Sequence, residues 1–256
     1  MTTIAVAETP LTLGLLRLAD TALVHSHRLS EWCGHAPMLE EDLALANIAL
    51  DLLGQARALY THAAAVEGAG RTEDDLAYRR DAPQFRNVLM AELPRGDFAF
   101  TILRGFLLAA HALPFWQATA GSRDATLAAI AAKAEKEAAY HVRHCGEWVI
   151  RLGDGTGESR RRMLEALDTL WPYTGELFEV DDADRAVIAD GILPDPAVVR
   201  APWDATIDRV FAEAGLDRPA EGWMQSGGRW GRHTEHLGHL LAVMQHLPRA
   251  YPDATW

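Results

Sequence analysis

Residues 38–67 read MLEEDLALANIALDLLGQARALYTHAAAVE and predict one long helix. Carboxylates at Glu40, Glu41 and Asp42 fall in its first turns, where they interact favourably with the positive end of the helix dipole. The glycines at positions 68 and 70 end it. Apolar residues occupy almost its whole circumference, which indicates a central helix that serves a core and also a partner surface.

Three further long helices follow from the same helical periodicity of apolar residues. Short loops with glycine or proline join them into two antiparallel hairpins, which together make a four-helix bundle. The remainder of the chain predicts shorter helices, and no run of alternating β-branched residues indicates a sheet. We therefore predict an all-α single domain over residues 1–256, with a bundle and a C-terminal helical appendage. The predicted ranges are about 11–32, 38–67, 97–119 and 125–152 for the bundle helices, about 11–152 for the bundle, and about 158–256 for the appendage.

The charge balance limits the classes of partner. The chain has 24 basic and 36 acidic residues and a net charge of −12, which disfavours non-specific binding to nucleic acid or to an anionic membrane. Its two cysteines, Cys33 and Cys145, belong to no metal-binding pattern and are expected to be reduced and partly buried. The first ten residues lack the features of a signal peptide. A cytoplasmic protein that docks a more basic partner is expected.

A long four-helix bundle with polar groups inside suggests a carboxylate-bridged di-iron site. Such a site takes a Glu from each of two helices and a Glu-x-x-His pair from each of the other two. The third helix does not satisfy this requirement, because no Asp or Glu occurs between Asp97 and Asp124. His111 in this helix is expected to be a hydrogen-bonded histidine and not a ligand.

Five residues remain as candidates for a degenerate di-iron site. Asp20 falls among the apolar positions of the first helix, and Asn47 and Asp51 are four apart on the second. On the fourth helix Glu137 and His141 are also four apart, close to the spacing of a ligand pair. We expect Asp20 and Asp51 to be buried and to hydrogen-bond to each other's helices, with Asn47 or His141 as further partners, because an unpaired buried charge is costly.

The C-terminal region contains a second polar cluster. His233, Glu235, His236 and His239 leave open a lone zinc site, although ordinary hydrogen-bonded side chains are the simpler interpretation. The glycine-rich turn before them, at residues 227–232, is compatible with a phosphate at a helix N-terminus or with a tight turn.

Four segments resemble a known family. These are residues 28–37 (RLSEWCGHAP), 41–57 (EDLALANIALDLLGQAR), 136–141 (KEAAYH) and 227–238 (GGRWGRHTEHLG). In this order they resemble the C subunits of bacterial phenylacetyl-CoA 1,2-epoxidases, and the similarity extends over nearly the whole chain. The positions at which this sequence departs from the family pattern lie mainly in linker regions and at the N-terminus.

The resemblance implies a ferritin-like fold and a place in a multicomponent monooxygenase of aerobic phenylacetate breakdown. In that family the catalytic A subunit holds the di-iron centre and binds the CoA thioester. A small B subunit joins the complex, and a reductase that uses NADPH, FAD and an iron–sulfur centre supplies electrons. The C subunit is the structural partner, so the resemblance implies no catalytic residue and no cofactor in this chain, which alone is expected to form a homodimer or lose stability.

An enzyme remains the competing hypothesis. A self-sufficient di-iron oxidase or oxygenase would use Asp20, Asp51, Glu137 and His141 in an unusual site. The third hypothesis is the zinc protein built around His233, Glu235, His236 and His239. The carboxylate-free third helix favours the structural subunit.

Overall fold

The computed structural model describes residues 3–220, 222–252 and 254, and within these residues the chain forms eleven α-helices and no strand. Four of them are long enough to form a bundle and seven are shorter. The long helices are α1 (Pro10–Ser30), α2 (Leu39–Glu67), α5 (Phe98–Thr119) and α6 (Ala125–Gly153), and the others are α3 (Glu73–Tyr78), α4 (Leu89–Glu92), α7 (Gly157–Leu170), α8 (Asp182–Ala189), α9 (Pro196–Ala214), α10 (Glu235–Met244) and α11 (His246–Ala250). The predicted all-α, ferritin-like bundle with additional C-terminal helices is confirmed.

Local chemistry fixes the ends of the bundle helices. Asp97 caps α5 by accepting a hydrogen bond from the backbone N–H of Phe100, and Asp124 caps α6 in the same way. The α2 helix ends at Gly68, whose φ of 71° lies in the left-handed region that glycine adopts without strain. These signals are local in sequence, so the predicted ends lie within two residues of the observed ones.

The C-terminal appendage packs along the bundle. Helices α7 and α9 lie against α5 and α6, and α8 lies against α1. Trp203 of α9 is fully buried, and its indole N–H donates to the carbonyl of Leu107 in α5 over 3.2 Å. Only shorter helices were predicted for this region, and the structure divides its described part into five, α7 to α11.

Helix α5 is the centre of the molecule. It is the one helix among the described residues that is long and apolar enough to cross a membrane, and 61% of its most apolar window is buried inside the protein. Such a helix is typical of the core of a globular bundle. Its buried Arg104 donates from Nη1 to the carbonyl groups of Leu93 and Pro94, and burial lowers the pKa of its guanidinium to about 9.

Helix α2 is not enclosed on all sides. One face packs on α1 and α6, and the opposite face exposes large apolar side chains, with Leu50 at 64% of its full accessible surface. The expectation of a central helix is therefore correct for one face only. The exposed leucines of this face, called here the α2 face, are Leu39, Leu43, Leu50 and Leu53.

Candidate functional site

A slot of about 160 Å³ runs through the bundle between α1 and α5. Helices α2 and α6 form its floor, and the region around α8 and α9 covers its outer side. This bundle slot occupies the position where a bundle of this type would hold metal ions. Its central lining residues are His25, Leu52, Gln55, Leu108, Ala138 and His141.

The bundle slot does not offer the ligands that two iron ions need. On α2 the inward pair three residues apart is Leu52 and Gln55, and on α6 it is Ala138 and His141. These pairs have the spacing of Glu-x-x-His, but each lacks the glutamate. Among the described residues, no Asp or Glu of α1, α2, α5 or α6 lines the slot. The residues present therefore do not fit a di-iron centre, which requires about four carboxylates.

Three of the predicted candidates connect α2 to α6. Nε2 of His141 lies 3.0 Å from Oδ2 of Asp51, and the amide of Gln55 donates to Oε2 of Glu137 over 2.9 Å. Lys133 pairs with the other oxygen of Glu137 at 3.2 Å. Burial lowers the pKa of His141, and this effect outweighs the opposing hydrogen bond and charge of Asp51. The carboxylates thus hold neighbouring protein groups and do not face a shared metal position.

Two more polar contacts lie between α2 and α6, and together with the contacts of Asp51 and Glu137 they form a row along these two helices. His62 of α2 lies 2.6 Å from Asp124, the residue that caps α6. At the other end His144 and Glu41 approach to 3.1 Å, but the angle at the two atoms does not make this contact a hydrogen bond. Glu41 and His144 are therefore neighbours without a hydrogen bond between them. The row explains why polar residues recur on one side of an otherwise apolar α2.

Asp20 belongs to a separate, fully buried network. It pairs with the guanidinium of Arg80 and accepts hydrogen bonds from the Tyr60 hydroxyl at 2.5 Å and from the backbone N–H of Arg86 at 2.7 Å. Burial, together with the charge of Asp20, raises the pKa of Tyr60 well above its ordinary value. The network ties α1 to α2 and to the segment after α3. Asp20 does not line the bundle slot.

The five candidates are therefore not brought together. Asp20 is buried and bonds to α2, as expected, but Asp51 is partly exposed and bonds to α6 instead of α1. Asn47 is exposed and has no part in either network. Asp51, Glu137 and His141 do share one region. The expectation that Asp20 and Asp51 are both buried was wrong for Asp51, because the face of α2 that carries Asn47 is turned toward solvent at this level.

His25 is the slot residue that sequence reasoning missed. It is 5% exposed, and burial together with the charge of Arg104 holds its pKa well below the ordinary value. Its Nε2 atom has no hydrogen-bond partner among the described residues. The spacing of Leu18, Ala22, His25 and Leu29 places all four on the slot side of α1.

The residues of the C-terminal cluster do not share one environment. His233 points inward, where Nδ1 donates to Oε2 of Glu92 over 2.7 Å and Nε2 donates to the carbonyl of Phe85 over 2.9 Å. Glu235 and His239 are exposed. The structure finds no group of three or more potential metal ligands in the part of the chain that it describes. The zinc hypothesis is not supported, because both nitrogens of His233 are already used.

The glycine-rich turn before α10 binds an internal carboxylate. The backbone N–H groups of Gly227 and Arg229 donate to Oε1 of Glu176, and the N–H of Leu89 donates to Oε2. Burial raises the pKa of the Glu176 carboxyl, although all three donors oppose that effect. A tight turn, and not a phosphate site, is therefore the correct interpretation.

The two cysteines have different surroundings. Cys33 is exposed, whereas Cys145 is buried at the inner end of the bundle slot. Burial raises the pKa of the Cys145 thiol to about 12. Neither forms a disulfide, in agreement with the prediction of free thiols, but only Cys145 is buried.

The fold and its interior define a class of protein. It has the helical bundle of di-iron proteins, but the inward positions carry amide, imidazole and aliphatic side chains in place of the carboxylate ligands. The chain belongs to the phenylacetic acid catabolic protein family, whose model matches residues 1–256. It is 50% identical over 246 residues to the C subunit of the 1,2-phenylacetyl-CoA epoxidase of Escherichia coli (strain K12), and this match covers 96% of the chain and 99% of the relative. The resemblance inferred from the four sequence segments is thereby confirmed.

Proposed function

We propose that the chain is the structural C-type subunit of a phenylacetyl-CoA epoxidase complex in aerobic phenylacetate catabolism. It pairs with a ferritin-like catalytic A subunit that holds the di-iron centre, together with a small B subunit and a reductase. The observation that carries the proposal is the absence of any bundle carboxylate among the described residues of the slot. The name of the 50% identical relative gives the reaction and the subunit type.

The carboxylates that lie between the helices support a structural role. The carboxylates of Asp20, Asp51 and Glu137 each have protein partners that stabilise the contact between helices. A catalytic site would instead leave such groups facing a metal or a substrate. In the proposed complex the di-iron centre, NADPH, FAD and iron–sulfur centre therefore belong to the partner subunits, and the assembly works in the cytoplasm.

The α2 face supports pairing with another bundle. Leu39, Leu43 and Leu50 are all more than half exposed, and Tyr140 of α6 adds a partly exposed aromatic ring beside the α2–α6 contact. Obligate interfaces are large, commonly more than about 2,000 Å², and relatively apolar. A helix that buries one face in its own bundle and the other face in a homologous subunit needs apolar side chains on both faces, and α2 has leucines on both. Without that subunit, the chain is expected to form a homodimer through the same face.

Reconstitution tests the proposal. The A and B subunits, the reductase, NADPH and phenylacetyl-CoA are combined with and without this chain, and epoxide formation is followed. We expect activity only when the chain is present, and co-purification of the chain with the A subunit. Full activity in its absence, or a stable monomer that does not bind the A subunit, would contradict the proposal.

A further inference from the structure

We propose that the bundle slot is a ligand site for an elongated, uncharged aliphatic molecule, whose polar head hydrogen-bonds to Nε2 of His25. The site lies within this chain and is independent of the pairing described above. Its ligand class follows from the shape of the slot, from the state of its polar groups and from the position of His25.

The shape favours an elongated guest. On α1 the lining residues run from Gly14 to Leu29, and on α5 they run from Thr101 to Trp116. At 1.5 Å per residue, each set follows its helix for roughly 22 Å. A volume of about 160 Å³ distributed along such a length is narrow, so it suits an extended chain better than a compact ring system.

The two ends of the slot differ. Its inner end is closed by Leu29, Thr101 and Cys145, which are all buried. The outer end is lined by Leu193 and Pro194, which are only half-buried. A guest therefore enters from the outer end and reaches inward toward His25.

The charge distribution favours an uncharged guest. At the outer end Nη1 of Arg17 and Nη2 of Arg229 bind the two oxygens of Asp184 at 2.7 and 2.6 Å. Arg17 also pairs with Asp181, so two carboxylates balance the two guanidinium groups, and Arg86 pairs with Glu8. Among the described lining residues no unpaired guanidinium therefore remains to bind the carboxylate of a guest. Further in, burial keeps His25 neutral by lowering its pKa, and a charged head would lose its hydration there without compensation.

Water is a poor occupant of the inner part. The inner Gln55 and His141 already bond to Glu137 and Asp51. Thr101 donates to the Arg95 carbonyl and accepts from the indole of Trp32, a residue outside the slot. A buried water needs two to four polar partners.

In the inner part of the slot, where Gln55 and His141 already have partners, His25 offers one free hydrogen bond. Together with Nε of Arg17, its Nε2 is one of the two buried lining atoms without a partner among the described residues. Arg17 and His25 are eight positions apart on α1, which corresponds to a distance of roughly 12 Å along the helix axis. His25 therefore stands alone near the inner end, where it can bind a single hydroxyl or carbonyl group.

A homologous series of straight-chain primary alcohols tests the proposal. The full chain is titrated calorimetrically with alcohols of increasing length. We expect saturable binding at one site, with an affinity that rises about fourfold per added methylene and then stops rising. From His25 to Gly14 the slot follows α1 for 11 residues, so the rise should end when the extended alcohol is roughly 16 Å long. The carboxylate of each length should bind at least tenfold more weakly.

Variants locate the site. Ala138→Leu and Ala109→Leu fill the slot from α6 and α5 and should weaken binding at least tenfold. His25→Leu should weaken it about threefold to tenfold, the effect of one neutral hydrogen bond. Leu50→Ser, on the exposed α2 face, is the matched control and should leave affinity unchanged. Nuclear Overhauser effects between the alcohol and the His25 ring provide a location that does not depend on any variant folding.

The outcomes are separable. Absence of saturable alcohol binding to the unmodified chain would overturn the proposal. So would binding that neither filling variant weakens, contacts to the α2 face instead of His25, or tighter binding of the carboxylates than of the alcohols.

Discussion

The buried Asp20–Arg80 pair gives a sharp test of how the interior is stabilised. In Asp20→Leu the aliphatic side chain keeps much of the volume but removes the carboxylate. Arg80 then remains fully buried without its counter-charge, and the Tyr60 hydroxyl and the N–H of Arg86 lose their acceptor. We expect a large loss of stability.

The magnitude follows from burial. The side chains of Asp20 and Arg80 are 0% and 1% exposed, so solvent neither screens the pair nor replaces the lost partner. Removing one partner of a buried ion pair costs about 3–5 kcal/mol. Since native domains are stable by about 5–15 kcal/mol, Asp20→Leu should remove about a fifth or more of the free energy of unfolding.

Urea unfolding followed by circular dichroism measures this loss. The double variant Asp20→Leu/Arg80→Met removes both charges and should recover at least about 2 kcal/mol relative to the single variant. Glu165→Ala, which breaks the solvent-exposed pair with Arg161, is the control and should leave the free energy of unfolding essentially unchanged. A loss below about 1 kcal/mol in Asp20→Leu, or no recovery in the double variant, would refute the reasoning.

Two further predictions concern pH and assembly. Burial lowers the pKa of His233, but the hydrogen bond and charge of Glu92 outweigh it and raise that pKa above 6.5. The stability that this imidazolium contributes is therefore fully present below about pH 6.5 and is lost as pH rises through the folded-state pKa, so unfolding free energy should fall there. In His233→Gln that part of the fall should disappear, and an unchanged pH profile would contradict the assignment. Leu50→Glu on the α2 face should weaken binding to the A subunit at least tenfold in a calorimetric titration, whereas Val198→Glu, at an exposed position on α9, should not. Equal effects of the two changes would exclude the α2 face as the interface.

The bundle was predictable because its determinants are local. Asp97 and Gly68 act on residues within one turn of themselves, so their capping roles can be inferred without knowing the fold. The appendage was less predictable. Helix α9 does carry a local start signal, because Asp195 caps it and Pro196 occupies its first position, but Pro202 inside the helix indicates a break at the wrong point.

The interior was predicted only in part, because its partners are distant in sequence. Asp20 was expected to be buried, but its counter-ion Arg80 lies 60 residues away, in the segment after α3. His25 was missed because α1 is buried on almost every side, so its apolar spacing selects no single face. The apolar positions next to Asp20, Leu16 and Leu23, lie on a face of α1 that does not line the slot.

Metal content tests the central claim most directly. The full chain is purified alone, exchanged against metal-free buffer, and analysed for iron and zinc by elemental analysis, with the A subunit treated in parallel. Because no bundle carboxylate among the described residues faces the slot, we predict no stoichiometric metal in this chain and a di-iron content in the A subunit. About two iron ions per chain, retained through the exchange, would contradict the account.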